Sequence, residues 1–173
     1  MSFIALNGAG EGTRSISTEP PIESTFFKAA GMTTSSKKPI IDGDRVFKAT
    51  NVKKIHPVYL GLAESLAGVD LLRFIKIYND RLCASNLLST DGKKEPLVET
   101  SRKDLVGVEL LIDPAFKTVQ FFSIVSYKKG SGRKMVAAVV KATPEDWLLA
   151  VAMDWSGGFW EQMREEYPRI MVF

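Results

Sequence analysis

A short run of residues, 42–49, combines side chains that could act on a phosphate group. It reads Asp-Gly-Asp-Arg-Val-Phe-Lys-Ala. Gly43 lets the backbone approach an anion closely, and the planar guanidinium of Arg45 can bind phosphate oxygens with several donors at once. A neighbouring carboxylate can hold a metal ion or orient a water molecule. The run therefore indicates phosphate chemistry, with Asp44 and Arg45 as candidate catalytic residues and Asp42 and Asp44 as candidate ligands of Mg²⁺.

Positive charge is concentrated around this run and again in segment 128–134. Four of the seven residues in that segment are basic, and two are glycines. A hairpin loop that exposes backbone amides and several cations could hold a phosphate, although its lysines could equally be a solvated loop tip. The predicted phosphate-binding residues are Gly43, Lys48, Lys53, Lys54, Lys128, Lys129, Arg133 and Lys134.

Other side chains that often carry chemistry are scarce. His56 is the only histidine and Cys83 the only cysteine, which argues against a Cys–His catalytic pair, a His/Cys metal site and an intrachain disulfide. The Leu-Cys-Ala context of Cys83 is typical of a core. A carboxylate-bound Mg²⁺ could also use Glu109 and Asp113, which share one face of a predicted strand, but these two residues could equally be an exposed strand face.

The composition is ordinary for a soluble globular protein. The chain has 173 residues, of which 45% are hydrophobic and 25% charged, and its net charge is +3. No apolar run approaches the roughly 18 residues that a membrane span needs, and the N-terminus lacks the pattern of a secretory signal. We therefore expect a cytoplasmic protein with no membrane span.

The first 38 residues differ from the rest of the chain. They include eleven Ser or Thr residues and show no hydrophobic periodicity. Such a segment cannot bury enough apolar surface to offset its ordering entropy, so residues 1–38 are predicted to be a flexible Ser/Thr-rich tail. The same composition also fits an export signal. Residues 39–173 are predicted to form a single globular domain.

Hydrophobic patterning and breaker residues predict the elements of this domain. β-Branched and aromatic residues favour strands at 118–127 and 135–140, joined by 128–134 as a hairpin loop. Thr143, followed by Pro-Glu-Asp, is typical of a helix start, with Trp147 on the apolar face of that helix. The whole series is a strand–turn–strand over 40–49, a helix over 57–66, a strand over 71–78, a polar connector over 89–104, strands over 106–113, 118–127 and 135–140, helices from Thr143 and over 159–167, and a strand over 170–173. It predicts an α+β fold whose mostly antiparallel sheet contains a β-meander and is followed by C-terminal helices.

The run from Gly43 to Ala49 resembles the Gly-Glu-Arg-Arg-aromatic-Arg-Ala motif of ParB/sulfiredoxin-type domains, which bind nucleotides or act as nucleases. Asp44 stands in place of Glu and Lys48 in place of Arg, whereas Val46 replaces the second arginine. Within this broad group, the size and layout of the chain are similar to those of the plasmid fertility-inhibition factors, which include the Osa proteins. Those factors block DNA export through conjugative type IV systems.

The resemblance implies a nucleotide- or DNA-phosphate-binding protein that blocks conjugative or T-DNA transfer, with a type IV secretion coupling protein as its partner. If it is an enzyme, the implied reaction is Mg²⁺-dependent hydrolysis of DNA or ATP. The alternative is a non-enzymatic interaction module, such as an immunity protein, an adaptor or a secreted effector. DNA binding that weakens steeply with added salt would favour the first interpretation, and a lack of DNA affinity would favour the second.

Overall fold

The computed structural model describes residues 41, 43–99, 102–152, 154 and 156–173. These residues all belong to one unit, Lys37–Phe173. The tail predicted over residues 1–38 and the predicted metal ligand Asp42 lie outside the described residues. Within the described part of the chain, no helix is long and apolar enough to cross a membrane.

Ten helices and strands follow one another along the described residues. They are β1 (Val46–Lys48), α1 (Pro57–Ala67), β2 (Phe74–Ile77), β3 (Arg81–Ser85), β4 (Val106–Asp113), β5 (Thr118–Ser126), α2 (Ser131–Ala142), β6 (Leu148–Val151), α3 (Phe159–Glu166) and β7 (Ile170–Val172).

All the named strands belong to one sheet, in which they follow the order of the chain from β1 to β7. Strands β2 to β5 form an antiparallel meander. β1 pairs parallel to β2, and β6 and β7 extend the other side in parallel with β5. Together the antiparallel ladders hold more residue pairs than the parallel ones, so the sheet is mixed but mostly antiparallel, and the predicted α+β class is confirmed.

Helix α1 shows how local sequence sets the boundaries of an element. Pro57 occupies its first turn, where a missing amide hydrogen costs nothing, and His56 caps the start by accepting a hydrogen bond of 3.3 Å from the amide of Val58 at its Nδ1 atom. Gly68 follows the last residue, and its amide donates back to the carbonyls of Leu66 and Ser65. The predicted helix over 57–66 is therefore confirmed, with Ala67 as its last residue and Gly68 as its C-cap.

The hairpin loop predicted at 128–134 and the strand predicted at 135–140 are wrong, because Ser131–Ala142 forms helix α2. The buried residues Met135, Val136 and Val139 recur at helical spacing and lie on one face of the helix. The β-branched residues of this segment favoured a strand, but tertiary packing overrides so weak a preference. Parallel strands need a crossover connection, and α2 provides it between β5 and β6.

The helix predicted to begin at Thr143 is also wrong. Thr143 instead follows the end of α2, where its hydroxyl donates a hydrogen bond of 2.7 Å to the carbonyl of Val139. The next element, β6, is a strand inside the sheet in which Leu149 and Val151 are buried on the core side. A threonine can bond backward into a helix as well as cap the start of one, which is why the pattern misled.

The hydrophobic core lies between one face of the sheet and the three helices. Leu62, Met135 and Met163, from α1, α2 and α3, join a single buried cluster with alternate residues of the strands. The remaining strand positions point to the opposite face, which we call the outer face. Four register partners cross it in a row, namely Phe47, Lys76, Cys83 and Glu109.

Part of the predicted connector folds into a small hairpin, residues 87–97, which we call the lysine hairpin. The amide of Leu97 donates to the carbonyl of Leu87 over 3.0 Å, and the amide of Ser89 donates to the carbonyl of Glu95 over 2.7 Å. Its tip turns through Gly92, which has a φ angle of 78°. That left-handed conformation is readily adopted by glycine. The tip therefore has a defined shape, which the polar composition of the connector did not predict.

Candidate anion-binding groove

The predicted phosphate-binding residues lie in different environments and do not form one site. Gly43 and Lys48 line a groove beside β1. Lys53 and Lys54 are exposed in the connection between β1 and α1, and Lys54 lines a small cavity of about 130 Å³. The cations of segment 128–134 lie at the start of α2. Arg45 contacts the loop that follows α1.

The guanidinium of Arg45 is bound by the main chain of its own fold. Its Nη2 atom donates hydrogen bonds to the carbonyl of Leu72 at 2.6 Å and to the carbonyl of Ala67 at 3.1 Å. Ala67 ends α1, and the last carbonyls of a helix lack partners within the helix and attract positive charge. Arg45 therefore joins the N-terminal end of β1 to the end of α1.

Two cations of segment 128–134 pair with carboxylates of neighbouring elements. The Nε atom of Arg133 lies 3.1 Å from Glu166 of α3, and the Nζ atom of Lys134 lies 3.4 Å from Asp70. Lys128 and Lys129 are exposed at the N-terminal end of α2, where they precede it as part of the link from β5. This segment therefore contributes pairs between elements as well as exposed charge.

The carboxylates considered as Mg²⁺ ligands also have individual environments. Asp44 is exposed, Glu109 pairs with Arg81 at 3.2 Å, and Asp113 accepts hydrogen bonds from the amides of Ala115 and Phe116 in the turn after β4. In the part of the chain that the structure describes, no group of three or more His, Cys, Asp or Glu side chains could hold a metal ion.

The groove beside β1 has a volume of about 640 Å³ and a positively charged lining. Three segments form it, namely the chain around β1, strand β2 and the tip of the lysine hairpin. Four lysines face a single glutamate. The lining residues are Gly43, Phe47, Lys48, Ala49, Thr50, Lys76, Gly92, Lys93, Lys94 and Glu95. We call this the lysine groove.

A second cavity, of about 710 Å³, lies between α1 and α2. Its charged lining residues are balanced, because Glu64 and Asp70 accompany Lys134 and Lys141. Although this cavity is slightly larger, its charges favour no particular sign of ligand. The excess of positive charge distinguishes the lysine groove as the candidate site.

At the floor of the lysine groove, the lining residues Lys76 and Glu95 belong to a network of polar side chains that continues beyond the lining. The Glu95 carboxylate accepts a hydrogen bond of 2.8 Å from Lys76 Nζ at one oxygen and a bond of 2.6 Å from the Tyr78 hydroxyl at the other. The guanidinium of Arg81 lies 4.7 Å from the centre of the Tyr78 ring, within reach of a cation–π interaction. This network joins the lysine hairpin to β2.

Hydrogen bonding and burial shift the pKa values of two groups in this network. The bond from Lys76, and then the bond from Tyr78, hold the pKa of Glu95 below its ordinary value. Burial, followed by the bond to Glu95, raises the pKa of Tyr78 far above its usual range. Near neutral pH, Glu95 is thus a carboxylate and Tyr78 a neutral hydroxyl donor, as the two hydrogen bonds require.

Cys83 is buried, as its sequence context predicted, but it lies on the outer face and outside the core cluster between the sheet and the helices. Burial, and then the nearby charge of Glu109, raise the pKa of its thiol to about 12. Because the thiolate is the reactive form, such a thiol is a poor nucleophile near neutral pH. His56, the other residue of the pair considered in the sequence, caps the start of α1.

The sequence identified Gly43 and Lys48 in the lysine groove but not its other three lysines. Lys93 and Lys94 lie in the segment predicted to be a connector, and Lys76 lies in the strand predicted over 71–78. The sequence does carry a signal for these residues, because Gly92, Lys93 and Lys94 combine glycine with lysine in the same way as segment 128–134.

Comparisons with protein-family models, with curated proteins and with solved structures found no match to this chain. Its function therefore has to be inferred from its own side chains.

Proposed function

We propose that the protein binds the phosphate groups of a nucleotide or of DNA in the lysine groove. The observation that carries this proposal is the lining of the groove, in which four lysines accompany one glutamate. Clustered lysines attract phosphates, and their binding releases the counterions that phosphates otherwise hold.

Three of the four lysines are well placed to meet a ligand. Lys48, on the β1 side, and Lys93 and Lys94, on the hairpin side, are exposed. Lys76 lies at the floor and is paired with Glu95. Asp91 approaches Lys93 only to 3.8 Å, and exposed pairs of this kind are weak. The two walls therefore offer positive charge that the fold leaves largely uncompensated.

The size and remaining lining of the groove suit a nucleotide unit. Pockets for small ligands span roughly 300–1,000 Å³, and the volume of about 640 Å³ lies within that range. Phe47 is half-buried beside Lys48 and provides an apolar surface on which a base could pack. Glycines at positions 43 and 92 keep side chains from filling the groove at two points of its wall. The hydrolysis and the block on DNA transfer that the resemblance implies stay predictions.

The test compares two double variants that remove equal charge. Lys93→Ala/Lys94→Ala removes two lysines of the groove, and Lys128→Ala/Lys129→Ala removes two exposed lysines that do not line it. The measurement is fluorescence anisotropy of a labelled single-stranded oligonucleotide at several salt concentrations, with ATP and pyrophosphate as competitors.

For the groove variant, we expect a loss of affinity of roughly tenfold and a salt slope reduced by about 1 to 2, because each lysine lost removes about one phosphate contact. The Lys128/Lys129 variant should change less. Competition by ATP would assign the site to nucleotides, whereas binding of the oligonucleotide without competition would assign it to DNA. Equal effects of the two variants would contradict the groove as the site.

A separate observation favours the alternative of an interaction module. Large apolar side chains are exposed on β5 and β7, including Phe122 and Met171, and Phe173 is exposed beyond β7. Exposed apolar clusters on a protein surface often mark contacts with other proteins. A protein that binds none of the three phosphate probes at low salt would favour this alternative.

A further inference from the structure

We infer that Glu95 is a positioning residue: its carboxylate docks the tip of the lysine hairpin on β2 and thereby places Lys93 and Lys94 on the wall of the lysine groove. The inference rests on the proposed function, because it concerns the same groove. It assigns a role to an acidic residue in a site that would bind anions, where a carboxylate would otherwise be unfavourable.

Both oxygens of the Glu95 carboxylate are used on the sheet. One accepts from Lys76 Nζ at 2.8 Å, and the other accepts from the Tyr78 hydroxyl at 2.6 Å. Lys76 Nζ also lies 3.4 Å from the carbonyl oxygen of Lys93. Lys76 thus contacts two residues of the hairpin, Glu95 and Lys93, and Lys93 is itself one of the lysines that line the groove.

Other hydrogen bonds shape the hairpin without fixing its tip to the sheet. The bonds of Ser89, Asp91 and Leu97 remain within residues 87–97. Among the described residues, the hydrogen bonds that join the tip, 89–95, to the sheet all end on Glu95 or on the carbonyl of Lys93. Two of these three bonds, and the two shortest, end on the Glu95 carboxylate, so the position of the tip relative to β2 depends mainly on Glu95.

The backbone of the tip also indicates an enforced conformation. Lys94 has a φ angle of 49°, in the left-handed region that residues with side chains seldom adopt. Such a conformation persists where the surroundings hold it, and Glu95 is its immediate neighbour. Loss of the contacts between the Glu95 carboxylate and β2 would allow the Lys94 backbone to leave this conformation and the Lys94 side chain to move away from the groove wall.

The opposite role, in which Glu95 competes with an anion for Lys76, agrees less well with the burial of that lysine. The Lys76 side chain is 11% exposed, whereas the Lys93 side chain is 74% exposed. A ligand in the groove would reach Lys93 readily and Lys76 hardly at all. Removal of the carboxylate would thus disturb the exposed lysines more than it would free the buried one.

The experiment uses Glu95→Gln in the full chain, with pyrophosphate and the labelled oligonucleotide as probes. This substitution keeps the size of the side chain and an acceptor for Tyr78 but removes the charge that binds Lys76. We expect affinity for both probes to fall about fivefold, since the lysines would no longer be preorganised. Asp146→Asn is the matched control, because it changes the net charge equally at an exposed pair with Lys117 that does not line the groove.

Additivity separates positioning from a general loss of stability. If Glu95 acts through the hairpin lysines, adding Glu95→Gln to Lys93→Ala/Lys94→Ala should cause little further loss of affinity. Lys76→Met, which removes the docking partner, should weaken binding as Glu95→Gln does, and it serves as the second variant should Glu95→Gln not fold. Near-ultraviolet circular dichroism below the melting transition verifies that each variant is folded.

The outcomes distinguish this inference from the proposed function. If Lys93→Ala/Lys94→Ala weakens binding while Glu95→Gln and Lys76→Met do not, the lysine groove is still the binding site, but the inference that Glu95 positions its lysines is wrong. Tighter binding by Glu95→Gln, or full additivity with the lysine variant, overturns positioning as well. If Lys93→Ala/Lys94→Ala leaves affinity unchanged, the proposed function itself fails.

Discussion

The Nη2 atom of Arg45 donates a hydrogen bond of 2.6 Å to the main-chain carbonyl of Leu72. Arg45 directly precedes the edge strand β1, and Leu72 lies in the connection between α1 and β2, so the bond links the start of β1 to the segment that leads into its parallel neighbour. A charged donor bound to a carbonyl is stronger than a neutral one. The side chain of Arg45 thus has a structural role at this end of the sheet, in addition to any contact with a ligand.

Replacement of Arg45 should therefore lower stability more than it lowers anion affinity. For Arg45→Ala, we expect the free energy of unfolding to fall by about 1–2 kcal/mol, because a partly buried carbonyl loses a charged donor. Urea denaturation measures the loss, and Arg73→Ala, which removes an exposed arginine near the start of β2, is the control. Unchanged stability together with a tenfold loss of phosphate affinity would show that Arg45 is a ligand contact instead.

Trp147 should contribute strongly to the stability of the fold. It is 8% exposed and belongs to the core cluster, so its predicted burial is confirmed. We expect Trp147→Ala to lower the free energy of unfolding by about 3–5 kcal/mol, through lost burial and the cavity left behind. Phe116→Ala, at a side chain that is 81% exposed, should be nearly neutral. Similar losses in thermal or urea unfolding for the two variants would contradict this view of the core.

Alkaline pH should destabilise the protein through buried groups that must lose a proton. Burial raises the pKa of Cys83 from 9.0 to about 12, and burial, followed by the charge of Asp80, raises that of Tyr59 from 10.0 to about 12. The folded state favours the protonated forms, so their contribution is complete below the unfolded pKa values. It is lost as the pH rises from about 9 to about 12.

The measurement for this alkaline effect is the urea midpoint as a function of pH, with tyrosinate absorbance followed in parallel. Cys83→Ser should lose less stability than the wild type at the lower end of that range, where the thiol titrates first in the unfolded chain. A wild-type midpoint that stays constant up to pH 12 would rule out the raised pKa values.

Acid pH should weaken the docking of the lysine hairpin. Hydrogen bonds from Lys76 and Tyr78 hold the pKa of Glu95 below its ordinary value of 4.5. The stability that this carboxylate contributes is present above that value and is lost as the pH falls through the lower pKa of the folded state. The difference in urea midpoint between wild type and Glu95→Gln should therefore shrink in acid. A difference that is the same in acid and at neutral pH would show that the Glu95 charge does not stabilise the fold.

Sequence patterns predicted the fold class because most elements carry a strong local signal. The long strands β4 and β5 are rich in β-branched and apolar residues, and α1 has both a proline start and a glycine end. The prediction for segment 131–142 was wrong because its valines locally favour a strand. The crossover helix that β5 and β6 require can be inferred only once those two strands are known to be parallel.

The candidate site could be predicted only in part, because its walls come from distant parts of the chain. Lys48 and Gly43 stood out beside an arginine, but Lys93 joins them only when the hairpin docks on β2. The hairpin is joined to β2 through Glu95. In the sequence alone, an acidic residue at this position argues against an anion-binding site. No local pattern reports a tertiary contact of this kind, so neither the contacts of Arg45 with the main chain nor the position of Lys93 and Lys94 beside β1 could be predicted from the sequence.

The most direct test of the lysine groove is to locate a bound phosphate group by amide chemical shifts in the full chain. In a titration of the ¹⁵N-labelled protein with pyrophosphate, we expect the largest saturable shifts at Gly43, Lys48 and residues 92–95, which line the groove. Shifts centred instead on residues 128–134, with none at the hairpin tip, would contradict the central claim and place the phosphate at the start of α2.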